Sequence, residues 1–267
     1  MKKYLNLFDF SQKVNYRTEI LSGVTVAFAL VPEAIAFALI PGFSPLTGLY
    51  AAFVVALITS ILGGRPGMIS GATGAVAVIF IGLILELKDN FPDITPETIL
   101  NYVFATVIIA GLLQILAGVL KLGKFIRLVP HPVMFGFVNG LAIIIFMAQF
   151  PNFYEKGTTD LLSGSAFWTM LGLTILTMVI IWGFPKITKA IPSSLLAIVV
   201  VSAIVIGFGV DTRTVADTIA AGESIKGGFP PLSIPNIPLS LETFKIIFPY
   251  AAIVAGVGLI ESLLTLN

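Results

Sequence analysis

Eight stretches of this chain are apolar for about the length of a membrane-crossing helix: 20–40, 46–63, 70–87, 98–120, 130–150, 163–184, 191–210 and 243–267. A helix needs about 20 mainly apolar residues to cross a hydrocarbon core of about 30 Å. In lipid every backbone N–H and C=O must also find its partner inside the protein. Repeated eight times, that requirement predicts an all-α polytopic membrane protein. Composition agrees: 57% of the residues are hydrophobic and 11% charged, where a soluble domain carries roughly 25% charged residues. The net charge of +1 points to no nucleic-acid partner, and the absence of cysteine excludes a disulfide framework or a thiolate metal site. Residues 1–19, "MKKYLNLFDFSQKVNYRTE", lack an apolar core followed by a cleavage site, so they read as a cytoplasmic N-terminal segment rather than a signal peptide.

The connections alternate in charge. One set holds ten of the fifteen basic residues, among them Lys2, Lys3, Arg65, Lys121, Arg127 and Lys186; the other holds Lys88, Lys156, Arg213, Lys226 and Lys245. The positive-inside rule then puts the N-terminus in the cytoplasm of a plasma (bacterial inner) membrane. Residues 211–242, with "GGFPPLSIPNIPLS", form the one long loop, expected outside as an ordered, extended covering. Seven spans precede it. A second set of seven would have to run with opposite orientation, the inverted-repeat plan of many secondary transporters, with the site at mid-membrane between the repeats. The chain supplies one set and an eighth span at 243–267; no loop or charge closes that span, so Asn267 reads as a partial end.

Polar residues inside the spans carry the functional signal. Glu261 stands in the last apolar run, with Ala251, Ala255, Gly258, Ser262 and Thr265 on a small, partly polar face and Ile253, Val257, Ile260 and Leu264 on an apolar one. Thr265 is one helical turn from Glu261. A charge at the bilayer centre costs about 2.5–3.5 kcal/mol on insertion scales, so such residues face a cavity or a partner. Two readings stand: a protonated, hydrogen-bonded structural glutamate, or an ion-coupling group. Glu33 follows Pro32, which removes a helical hydrogen bond and is expected to kink or unwind the first span; Phe37 lies one turn on. Glu33 is either a ligand contact or a cap for that broken helix.

The third feature is "GGRPGMISGATGAVAVIF", residues 63–80. Gly71, Thr73 and Gly74 stand before a long apolar run, which predicts a short extended segment followed by a half-helix beginning inside the membrane. Such a helix N-terminus offers unpaired N–H groups and a partial positive charge, an anion site that needs no lysine or arginine. The plainer reading is close helix packing around glycine. "GFVNG", from Gly136 to Gly140, reads as a packing motif of that kind. His131, the only histidine, reads as an interfacial structural residue. Without histidine or cysteine partners it suggests no metal site, and no nucleotide loop or catalytic triad occurs.

Four segments together resemble the SulP family of inorganic anion transporters, the sulfate permease group: "VPEAIAFALIPGFSPLTGLYAAF" (31–53), "GGRPGMISGATGAVAV" (63–78), "LVPHPVMFGFVNGLAIII" (128–145) and "GLIESLLT" (258–265). The resemblance implies a fold of seven plus seven inverted spans divided into core and gate, commonly a homodimer, usually followed by a cytoplasmic STAS domain. On that plan 20–210 is the first repeat, with spans 1–4 in the core and 5–7 in the gate. The second repeat beyond the eighth span is missing here, including the tenth span that faces the third, as is the STAS domain, and transport is not expected of this stretch alone. Thr73 and its neighbours Ala72 and Gly74 resemble the family's anion-contacting positions, and Phe37 the aromatic that lines the site. Glu33 stands where many animal members have glutamine. Glu261 and Thr265 match positions where cyanobacterial sodium–bicarbonate members hold sodium with an aspartate and a threonine; other bacterial members have glutamate, associated with proton coupling.

A bare carboxylate beside an anion would repel it strongly in a low dielectric. Either Glu261 carries a proton, or a sodium ion bridges it with Thr265; both make the anion welcome only when the cation is present. The expected function is secondary active transport of a small anion (bicarbonate, sulfate or a dicarboxylate) coupled to sodium or protons. The rivals are an uncoupled exchanger or channel and a nucleobase–proton symporter of the same architecture. An enzyme is not expected, because no nucleophile or metal set accompanies the carboxylates. Beyond a sodium ion, no cofactor is implied.

Overall fold

The computed structural model describes residues 15–62, 68–124, 131–147, 149–155, 160–188, 191–214, 217, 228–230 and 232–265, with the backbone alone for 131, 134 and 263–265. Eight α-helices occur among them: α1 (Tyr16–Leu39), α2 (Pro45–Leu62), α3 (Gly74–Asn90), α4 (Pro96–Val119), α5 (His131–Met147), α6 (Gly164–Gly183), α7 (Ser193–Phe208) and α8 (Leu241–Thr265). Six stretches in these helices are long and apolar enough to cross a membrane, and α7 is a shorter apolar helix. Leu112, Val119, Trp182, Ile206 and Phe208 are exposed on their surfaces. In water such a surface would aggregate; in lipid it is the expected one. The chain is a multi-pass integral membrane protein.

Helix ends follow local chemistry. The Asn15 side chain accepts from the Thr18 N–H to cap α1, and Thr95 caps α4 just ahead of Pro96. Ser240 caps α8 by accepting from the Thr243 N–H at 3.1 Å. Gly209, at φ +61°, closes α7 in the left-handed conformation that glycine adopts without strain. Hydroxyls inside the spans turn back onto their own helix: Thr59, Thr106, Thr174 and Thr177 donate to the carbonyl four residues earlier, each at 2.8 Å. No buried side-chain polar atom is left unpaired among the described residues.

Because lipid is as apolar as leucine, these helices associate by close packing at small residues. At Gly48 a Cβ would collide with the Ala34 carbonyl oxygen and lie 2.7 Å from Ala38 Cβ, so α1 and α2 touch backbone to backbone there. α8 lies along both α4 and α3, and α6 pairs with α7. The buried core sits where α3, α4 and α8 meet, built from Phe80, Leu83, Leu87, Tyr102, Val103, Ile247, Ala251 and Val254. By contrast α5 and α6 have no buried residue among those described, and α7 has only Ala197.

Two expectations bear on these helices. α1 runs as one continuous helix through Pro32 and does not unwind; proline costs it only the bond to the Phe28 carbonyl, on the exposed side of the helix. Gly136 and Gly140 meet no neighbouring atom within 4 Å, so the expected packing motif has no partner helix among the described residues.

Outside the helices, residues 232–239 have neither helical nor strand structure. The Asn236 N–H donates to Asn101 Oδ1 on α4 at 3.2 Å, Ile237 packs against the core, and Phe229 stacks edge-on to Phe53.

Candidate functional site

The start of α3 is the focus. Residues 68–73 run without helical structure, and Thr73 is extended (φ −128°, ψ 132°) before the helix begins at Gly74. The 17 residues of α3 are short for a span. Its apolar part, Gly74–Leu87, reaches about 21 Å of a core about 30 Å thick. The helix starts only at Gly74, after a non-helical entry, and is nearer two-thirds of a span than half.

What fills the place of a capping side chain is unusual. The Thr73 hydroxyl makes no capping bond to its own helix. It donates instead to Glu261 on α8, lying 2.7 Å from Oε1 and 2.8 Å from Oε2. A single hydroxyl proton shared by two carboxylate oxygens suits the ionised form. If Glu261 is protonated, the same two distances admit one bond given and one received. The geometry accommodates either state.

Behind Thr73 the walls are tight. A Cβ on Gly74 would lie 2.8 Å from Phe37 Cε1 and 3.1 Å from Ile145 Cδ1. A Cβ on Gly71 would lie 2.6 Å from Leu30 Cδ1. Here glycine serves close approach: α1 and α5 side chains press on the backbone where α3 starts. The first N–H groups of any helix have no intrahelical partner, and in α3 the first such bond runs from Ala77 N to Thr73 O at 3.3 Å. Those leading N–H groups, the Phe37 ring and the Glu261 carboxylate thus converge on Thr73.

The expected residues are distributed as follows. Phe37, Thr73, Gly74 and Glu261 come together. Ala72 is half-buried in the non-helical segment beside Thr73. Glu33 lies one turn before Phe37 but is exposed, and forms no hydrogen bond among the described residues. Thr265 ends α8 one turn beyond Glu261, and its side chain lies outside the described residues. No group of three or more His, Cys, Asp or Glu gathers anywhere among the described residues. A cavity of about 500 Å³ between α1, α2 and residues 68–70 is lined by Leu30, Phe53, Met68 and Ser70, with neither Thr73 nor Glu261 on its wall.

Two intramembrane polar groups escaped the sequence reading. Gln114 on α4 donates to the Ala255 carbonyl at 3.4 Å, in space left open by Gly258, where a Cβ would lie 2.5 Å from its amide nitrogen. Glu86 near the end of α3 is hydrogen-bonded by the Tyr250 phenol of α8. Gln114 was legible as the one glutamine within the 98–120 run; Glu86 resembled loop charge because Lys88 and Asp89 follow it.

The sequence model of the sulfate permease family matches residues 16–266. The chain belongs to that family. Among its relatives, "Putative sulfate transporter YbaR" of Bacillus subtilis is 43% identical over 94% of this chain and 47% of its own length. The bicarbonate transporter BicA of Picosynechococcus sp. is 33% identical over 94% of this chain and 45% of its own. The chain thus spans about half the length of the curated relatives it matches. Among solved structures, the transmembrane domain of a cyanobacterial bicarbonate transporter BicA superposes with a TM-score of 0.77 at 28% identity, covering 95% of this chain and 66% of that one. These relatives are named as transporters.

Proposed function

We propose that this sulfate permease family member carries a small anion across the membrane by secondary active transport, coupled to sodium or protons through Glu261. One observation carries the reading: the hydroxyl at the start of α3 is bonded to both oxygens of an intramembrane carboxylate on α8. An anion drawn to the leading N–H groups of α3 would sit near Thr73, and therefore near Glu261. Two negative groups that close repel each other strongly where water is scarce. A proton on Glu261, or a sodium ion shared among its oxygens and neighbouring hydroxyls such as Thr73 and Thr265, removes the repulsion. Thr73, with Ala72 and Gly74 beside it, is the hinge of the account because it touches the carboxylate and heads the helix that faces the anion. Phe37 walls the site behind Gly74, and Glu33, one turn away, lies at its margin.

Bicarbonate and sulfate are the leading substrates because relatives are named for them, with a small dicarboxylate as a further candidate. Family membership argues against a nucleobase. The charge distribution supports a cytoplasmic N-terminus, and the sparse burial of α5–α7 beside the dense α3–α4–α8 core suits a gate that moves against a core.

The test is uptake of labelled bicarbonate and labelled sulfate by the full-length protein in liposomes, under an inward sodium gradient, an inward proton gradient, or neither. Accumulation of one anion that needs one gradient supports the reading. Equal flux under all three conditions makes the protein an uncoupled exchanger or channel and sinks the coupling role of Glu261.

A further inference from the structure

α3 and α8 are joined at two places, not one. Thr73 of α3 meets Glu261 of α8 at one end, and Glu86 of α3 meets Tyr250 of α8 at the other. The pairing order is antiparallel, and the two contacts are 11 residues apart on α8, about 16 Å of helix. Between them lies apolar packing that includes Leu83, Ala251 and Val254.

The second contact falls at the weakest point of α8. Pro249 lies inside that helix, so the ladder bond to the Lys245 carbonyl is missing there, and breaks of this kind are where long helices bend. Tyr250 is the next residue. Its ring fits against α3 because residue 82 is glycine: a Cβ there would lie 3.2 Å from Tyr250 Cε1 and 3.6 Å from its hydroxyl. One turn beyond Gly82, Glu86 accepts the phenol's proton. The lever is long: a bend of about 10° at Pro249 would move Glu261, about 18 Å further along, by about 3 Å. That displacement equals the whole length of the Thr73–Glu261 hydrogen bond.

We infer that Tyr250 and Glu86 are positioning residues: their hydrogen bond pins α8 to α3 at the proline break and so holds Glu261 on Thr73. This rests on the reading of Glu261 as the coupling group. Neither residue touches the anion or the cation. Their effect is on how well the cation is held.

The test uses Tyr250→Phe, which keeps the ring and deletes the donor, and Glu86→Leu, which deletes the acceptor. Glu86→Gln, which keeps an acceptor for the phenol, is the conservative control. In the reconstituted full-length protein, uptake of labelled bicarbonate is titrated with sodium and uptake of labelled sulfate with external protons. For the coupled pair of ions, Tyr250→Phe and Glu86→Leu should each raise the half-saturating cation concentration at least threefold while the maximal rate falls less than twofold. The double variant should go no further than either single one, and Glu86→Gln should stay near wild type. This chain has no cysteine, so a single Ser262→Cys reports on α8 independently: maleimide labelling should quicken at least threefold when Tyr250→Phe or Glu86→Leu is added. Unchanged half-saturation, or effects that multiply in the double variant, overturns the inference. If wild-type uptake ignores both cations, the coupling reading fails and labelling alone decides the pin: faster labelling upholds it and equal labelling overturns it.

Discussion

Replacing Thr73 by valine removes one hydroxyl and changes the shape of the site very little. In the wild type that hydroxyl donates to Glu261, 2.7 Å from one oxygen and 2.8 Å from the other. A hydrogen bond to a charged group contributes about 1.5–3 kcal/mol. Thr73 and Glu261 are only partly buried, so screening favours the lower end of that range. At about 1.4 kcal/mol per factor of ten, initial uptake at subsaturating anion and cation should fall about tenfold in Thr73→Val. Thr73→Ser keeps the donor and should lose threefold or less. The assay is initial-rate uptake of labelled bicarbonate and sulfate in liposomes reconstituted with equal amounts of each protein, with size-exclusion profiles to establish equal folding. Thr73→Val transporting within twofold of wild type, or Thr73→Ser falling as far as valine, would refute the reasoning, because either result detaches transport from the hydroxyl proton.

Two further outcomes follow from packing. Gly48→Leu places atoms where α2 already touches the Ala34 carbonyl and Ala38; the α1–α2 pair should separate, with loss of the monodisperse peak in detergent gel filtration, while Gly23→Leu, in open space, should leave it intact. Gly258→Ala drives the Gln114 amide from its seat on the Ala255 carbonyl; that bond is worth about 1 kcal/mol, so the apparent melting temperature should drop by a few degrees, and Gln114→Leu added to it should cost little more.

Most of the fold was legible because lipid removes the alternatives. Where water cannot satisfy the backbone, an apolar run of sufficient length must be a helix, and the eight expected spans match the eight helices to within about four residues at nearly every end. The start of α3 at Gly74 was legible for a related reason: "SGATG" resists helix formation, whereas "AVAVIF" does not. Tertiary partners were not legible. Sequence spacing pairs Glu261 with Thr265 one turn away, whose side chain lies outside the described residues, and gives no hint of the Thr73 hydroxyl, 188 positions earlier, that donates to the carboxylate. Only the antiparallel register of α3 on α8 creates that pair, and no local pattern encodes it. Pro32 misled for the opposite reason. A lone proline suggests a break, yet α1 stays helical through Pro32, with Ala34 and Ala38 packed close against Gly48 of α2.

Glu261 is the centre of the account, and its amide tests it most directly. Full-length wild type and Glu261→Gln would be reconstituted side by side, and labelled anion followed until it accumulates above the external concentration under an imposed inward sodium or proton gradient. Wild type should concentrate the anion, and Glu261→Gln, which binds neither proton nor sodium there, should not. A Glu261→Gln protein that still concentrates the anion under the same gradient would contradict it, and the carboxylate bonded to Thr73 would then be a structural group.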